Sequence, residues 1–512
     1  MQPSPKKTFS GPLTIIFSII IIGSIVLSMF SMTNRRAEPP TQTLTAATAL
    51  SPNVLKWQAE ANQAMTTENY QMAVEAYTKI IEEIPDGAET YVQRSTAYRA
   101  LGANALALKD INSAIDLVGE NIDLLNERAD IFLTTDDLQN AIKDYTQIIQ
   151  LDPMNVDAFI ARSSIYLKIG ENESALNDLN SAIEIAPNEA NTYFRRAVFF
   201  DDQEMLNEAL ADYTKVIQLA GDGAANAYAL RGLVYARMDK TDEALADFEK
   251  AIALGVEDES VYNEMGYIKL STYQTDEAVA AFNKAISLNP QNPVNYFNRG
   301  IFYINTQNYD LALSDYDRAI SLDSTNPQFF NNRGMVYYLK GDMPQAIENY
   351  TQALNLKPDY VSCLQNRGNA YAENGQYDSA INDYSQILVT NPDSSSALFN
   401  RGITYYRLKK YTLASADFTT IIERDLPNKV DALNMRAVMH INQNEYTPAL
   451  DDLNLAIETD PEFPDSYYKR ALILKARGKI QDAITGLKRY LELETDPEQI
   501  QTAQELLQTL EK

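Results

Sequence analysis

Thirteen alanines recur along this 512-residue chain like marks on a ruler: Ala73, Ala107, Ala141, Ala175, Ala209, Ala244, Ala278, Ala312, Ala346, Ala380, Ala414, Ala449 and Ala483. Every step is 34 residues except two of 35, which end at Ala244 and Ala449. A fixed period of this length specifies a tandem array of one supersecondary unit. Each unit stacks only on its neighbours, so the array grows as one body, not as the three or so domains this length would otherwise suggest.

The third unit, beginning at Ile122, shows what repeats. Leu125, Ala129 and Phe132 fall at i, i+4 and i+7, one stripe of a short helix. A polar turn follows at residues 134–137. Leu138, Ala141, Tyr145 and Ile148 then mark one face of a second helix, which Pro153 stops. The small residues Ala129 and Ala141 let two antiparallel helices approach closely, and Tyr145 fills the space one turn on.

The pattern resembles the tetratricopeptide repeat (TPR) family. The small residue of the first helix recurs as Ala61, Ser95, Ala129, Ser163, Ala197, six glycines from Gly232 to Gly402, Ala437 and Ala471. The aromatic recurs as Tyr77, Tyr145, Tyr213, Phe248, Phe282, Tyr316, Tyr350, Tyr384 and Phe418. A closing proline stands at Pro85, Pro153, Pro187, Pro290, Pro358, Pro392 and Pro461, and Trp57, the only tryptophan, takes a slot where the family pattern also has one. The resemblance implies an all-α TPR solenoid superhelix of 13 helix-turn-helix repeats over residues 54–496. Residues 497–512 carry Ile500, Ala503, Leu507 and Leu510 on one helical face and form the expected C-terminal capping helix.

The chain has 43 Lys and Arg against 70 Asp and Glu, a net charge of −27. Four of those cations, Lys6, Lys7, Arg35 and Arg36, lie in a stretch with no acid, so the repeats are more acidic still. Binding phosphates needs clustered cations, so nucleic acid is not an expected partner. The one cysteine, Cys363, excludes an intrachain disulfide and any thiolate cluster. The one histidine, His440, stands where other repeats have tyrosine and reads as a packing substitute. No motif for a nucleophile, a metal or a phosphate is present. The expected protein is not an enzyme and uses no cofactor or metal.

Residues 13–32 are twenty uncharged, mostly apolar positions, about the length that spans a bilayer as a helix. A cleaved signal peptide has an apolar region of about 7–15 residues and a small-x-small site after it. Here the run continues through Met29, Phe30 and Met32, so an uncleaved anchor is expected, with residues 1–12 as a tail and 33–53 as a linker. Lys6, Lys7 and the terminal amine outweigh Arg35 and Arg36 by one charge, which puts the repeats outside the cytoplasm. The opposite topology stays open.

In TPR solenoids the first helices line the concave groove. The expected peptide-binding residues are the asparagines Asn298, Asn332, Asn366 and Asn400, each before an Arg-Gly pair, with Phe297, Tyr338, Phe399 and Tyr406. Side-chain amides donate and accept at once, which suits the backbone of an extended peptide. The row resembles the asparagine ladder in the repeats of O-linked N-acetylglucosamine transferases; it is equally open to the reading that asparagine is simply common before Arg-Gly. Two functions follow: a membrane-anchored scaffold for envelope assembly, secretion or complex maturation, or a cytoplasm-facing receptor that recruits soluble partners.

One more pattern concerns the hairpins themselves. Arginine flanks the small residue in eleven repeats, and an acid flanks the aromatic in nine; the first and seventh repeats lack both. Joint absence predicts that the two charges pair inside one hairpin, either half-buried or as a solvated surface pair.

Overall fold

The computed structural model describes residues 51–512 of the chain. Among them lie 27 α-helices, one short 3-10 turn and no strand. Twenty-six of the helices form thirteen consecutive pairs, and the last, Pro497–Leu510, stands alone. The residues divide into two units, one ending at Met265 and the other Gly266–Lys512. The expected anchor, tail and most of the linker lie outside the described residues. Among those described, no helix is long and apolar enough to cross a membrane.

The first helix, Pro52–Thr66, starts two residues before the expected boundary. Ser51 caps it through an Oγ that accepts from Val54 N at 3.3 Å, and Pro52 occupies the first turn, where its missing N–H costs nothing. Each of the thirteen first helices ends in a left-handed residue (φ 56–82°) that reverses the chain into the second helix. Five of these are glycine; the others include Asp136, Gln307 and, unusually, Tyr273. The two 35-residue steps have separate causes. The 3-10 turn Gly221–Ala224 absorbs the first, and a loop with left-handed Asp425 and Asn428 absorbs the second.

The periodic alanines are the core. All thirteen have zero exposure, and the repeating aromatics are buried beside them. Glycine in the first helix sets the closeness of the pair: a Cβ on Gly368 would sit 2.6 Å from Tyr384 Cε1. Within Gly266–Lys512, the first helices of repeats eight to eleven touch one another in succession and so line the inner curve of that unit.

The arginine–acid pattern is a clip. Arg367 donates from Nε and Nη2 to both carboxylate oxygens of Asp383 at 2.9 and 2.8 Å, and from Nη1 to Thr351 of the preceding repeat at 3.1 Å. It also lies 5.6 Å from the Tyr371 ring. The same two-pronged fork closes in all nine repeats that have the acid, with Nε–O distances of 2.7–2.9 Å. The acids are buried and the arginines only 14–21 % exposed, so these are not solvated surface pairs. Because Nη1 reaches back one repeat, each clip also ties consecutive hairpins together.

Candidate functional site

Repeats eight to eleven present their first helices, Pro293–Asn305, Pro327–Leu339, Val361–Glu373 and Ser395–Arg407, on the inner face. The four expected asparagines all lie there, but they are not a row of open amides. Asn298 is 6 % exposed, and its Oδ1 accepts from the Tyr267 hydroxyl at 2.8 Å. Asn332 is half-buried beside the Tyr316 hydroxyl, and its Oδ1 accepts from Asn331 at 3.1 Å. Asn366 donates to Asn331 Oδ1 at 3.2 Å, and Asn400 donates to Asn369 Oδ1 at 3.1 Å.

Three amides thus belong to the face that the expected set omitted: Asn331, Gln365 and Asn369. Asn369 is the hub, because its Oδ1 also accepts from Gln365 at 3.1 Å and from the buried Tyr384 hydroxyl at 2.8 Å. The signal was in the sequence: Asn369 lies three residues after Asn366, one helical turn along the same face. What remains open to a ligand is the carbonyl oxygen of Asn366 and of Asn400, each of which has spent only its N–H side.

The aromatics divide too. Phe297 belongs to the core, not the groove: it is 8 % exposed and its ring packs 5.2 Å from Phe329 and 5.8 Å from Tyr316. In the same slot, three residues before the small residue, Asn331 and Asn434 are 5 % and 3 % exposed, whereas Gln365 and Phe399 stay half-buried. Phe399 is half-buried against Phe418 at 5.6 Å, and Tyr406 against Tyr411 at 5.7 Å, with its hydroxyl accepting from Asn442 at 3.3 Å. Tyr338 packs against the core cluster that contains Tyr350 and Tyr384, and its hydroxyl lies 3.4 Å from Glu373. Burial, helped by Glu373, pushes the Tyr338 pKa up to about 12, so it is a neutral donor at any ordinary pH. The inner face is therefore a half-covered strip of amides and aromatic edges bordered by Glu373 and Arg407, not an open apolar patch.

Elsewhere the reactive residue types are occupied by structure. Cys363 is buried, and burial pushes its thiol up to about 12, far from a reactive thiolate. His440 Nδ1 lies 2.8 Å from Glu445 on its own turn. Among the described residues no three metal-ligating side chains gather.

Family models for tetratricopeptide repeats match residues 126–190, 225–254 and, in overlapping segments, 259–467. The chain is 40 % identical over 68 residues to a DnaJ protein P58IPK homolog of Arabidopsis thaliana; that segment is 13 % of this chain and spans only 14 % of the plant protein. Among solved structures, YrrB, described as a TPR protein with an unusual peptide-binding site, is 28 % identical over 36 % of this chain and 95 % of its own, with a TM-score of 0.32. The Cut9–Hcn1 hetero-tetramer of the APC/C is 15 % identical over 91 % of this chain and 97 % of that one, with a TM-score of 0.38. No enzyme family is indicated. With its helix pairs, its 34-residue period and family models that match more than half of its length, the chain is a member of the tetratricopeptide repeat family.

Proposed function

We propose that this protein is a non-catalytic, membrane-anchored scaffold that holds an extended peptide segment of a partner along the inner face of repeats eight to eleven. One observation carries the reading: Asn366 and Asn400, 34 residues apart on successive inner helices, each fix an amide N–H on a neighbouring repeat, which leaves the carbonyl oxygen unspent. A peptide backbone N–H is the donor such acceptors suit, and the half-exposed edges of Phe399, Tyr338 and Tyr406 supply apolar contact beside them. The amides are oriented before any ligand arrives, which lowers the ordering cost of binding.

The anchor is residues 13–32, and the repeats face away from the cytoplasm, a setting for envelope assembly, secretion or complex maturation. A cytoplasm-facing receptor is the competing arrangement. Protease treatment of intact cells and of spheroplasts separates them: cleavage of the repeats only after membrane lysis overturns the extracytoplasmic placement. The binding reading is tested with purified full-length protein against a displayed library of random peptides. Selected peptides should lose at least tenfold in affinity on Asn366→Ala/Asn400→Ala, with helicity and melting unchanged. Undiminished affinity in that variant removes the strip from the proposal.

A further inference from the structure

A turn of three residues joins the two helices of every repeat, at the same end of each hairpin. Charge is not shared evenly among these turns. Those of repeats one, three, four, five and twelve are net acidic, and six others are neutral. Only repeats eleven and thirteen have basic turns, residues 408–410 and 477–479, with two cations each. Arg407 and Lys475 flank them. Residues 407–410 and 475–479 thus hold six cations and no acid, in a chain of net charge −27.

Elsewhere a cation near a turn pairs with an acid of the repeat before it, Lys168 with Asp136 and Lys340 with Asp310. Lys410 reaches Asp378 in the same way at 3.5 Å. Lys409, Lys475, Arg477 and Lys479 are exposed, and among the described residues no carboxylate lies within 4.0 Å of any of them. The acid of the intervening turn, Glu445, is held by His440 at 2.8 Å. Apolar side chains stand among the unpaired cations. Leu413 is 47 % and Ile480 38 % exposed, and Tyr411 is half-buried. Residues 475–482, in which Asp482 is the one acid, form an unbroken exposed run.

We propose that the turns of repeats eleven and thirteen dock on an anionic phospholipid surface; the inference rests on the proposed anchorage only for what brings them to a bilayer. Two features favour lipid over a protein segment. The cations sit on exposed hairpin tips, whereas peptides are recognised in grooves or along sheet edges. Cations mixed with outward leucine, isoleucine and tyrosine also suit a membrane interface, where charge meets phosphate and apolar tips enter the headgroup layer. The rest of the chain, net acidic, is repelled by the same surface, so the contact has one orientation. The chain is then held to the bilayer near both of its ends.

The test reconstitutes the purified full-length chain into vesicles of phosphatidylcholine, alone or mixed with phosphatidylglycerol, and reads hydrogen–deuterium exchange. Anionic vesicles should slow exchange about threefold in residues 407–413 and 475–482 relative to neutral ones, and leave the turns of repeats three to five unchanged. About 1 M sodium chloride, where the screening length falls to about 3 Å, should abolish the difference. The variant Lys409→Glu/Lys475→Glu/Arg477→Glu/Lys479→Glu changes only exposed positions and should melt as wild type does but lose the protection. The salt dependence decides the matter if that variant does not fold. Flotation with neutral vesicles reads the anchor separately: a chain that fails to float there lacks one, and the turns are then read by recruitment to anionic vesicles alone. Equal protection in neutral and anionic vesicles, protection that survives in the variant or in high salt, or none in wild type overturns the proposal. So does protection that grows with chain concentration without lipid, which assigns these turns to the acidic surface of a second copy.

Discussion

At the scale of single residues, what decides the energetics is whether a charge keeps its partner once it leaves water. Asp383 is 1 % exposed and Arg367 16 %, and the fork between them is bidentate. Asp383→Ala strands a buried guanidinium, so it should cost about 3–5 kcal/mol in denaturant titration. Replacing both partners by apolar residues should cost less than that single change. Lys168 and Asp136 approach to 2.5 Å but are 60 % and 73 % exposed, so Asp136→Ala should stay within about 1 kcal/mol. Glu264 behaves differently again. It occupies the inner position that asparagine holds in repeats eight to eleven, and burial raises its pKa to about 7 against a pull downward from Arg237. The folded state therefore favours the protonated acid. Its contribution is full below the unfolded value near 4.5 and is lost as pH rises towards 7. Melting measured at pH 4.5 and 8 should show Glu264→Gln stabilised relative to wild type at the higher pH and nearly neutral at the lower. An equal difference at both pH values would remove the titration from the account.

At the scale of helices and turns, the sequence was most readable where one position does one job in every repeat. The alanine period, the small-residue and aromatic slots and the arginine–acid pairs are set by contacts within a hairpin, so spacing alone exposes them. The inner face was less readable. Which amide meets which depends on side-chain reach between repeats: Asn366 finds Asn331, whereas Asn400, in the same slot, finds Asn369. Phe297 and Phe399 likewise share a slot, yet only the first is buried in the core, because Phe329 of the next hairpin closes over it. The turns hold a further lesson. Tyr273 adopts φ 62° at a position where five repeats use glycine, and it is 92 % exposed. A left-handed conformation costs a non-glycine residue about 1–2 kcal/mol, partly offset by the extra entropy glycine loses on folding. Tyr273→Gly removes no packing contact and should stabilise the chain by up to about 1 kcal/mol in equilibrium unfolding. A loss of stability would mean that the ring does something in the folded protein that its exposure conceals.

At the scale of the whole molecule, short-range pairing works against long-range repulsion. The clips are local and shielded from water, while the excess of 70 acids over 43 bases gives the chain a net negative charge that repels itself on folding. Salt acts on the two unequally. At about 0.15 M ionic strength the screening length falls to about 8 Å, from about 30 Å at 0.01 M, so repulsion between exposed carboxylates is largely removed and buried forks are barely touched. Thermal unfolding of the full chain should therefore shift upward between those two concentrations, the reverse of what a molecule held together by surface ion pairs would do. The cost of Asp383→Ala, measured at each concentration, should stay the same within error, because its partner Arg367 is shielded and the carboxylate is almost wholly buried. If the wild type instead lost stability on adding salt, exposed pairs such as Lys168–Asp136 would have to outweigh the net acidic charge. If the Asp383→Ala cost shrank markedly, the clip would be reachable by solvent ions, and its role as the buried tie between hairpins would fail.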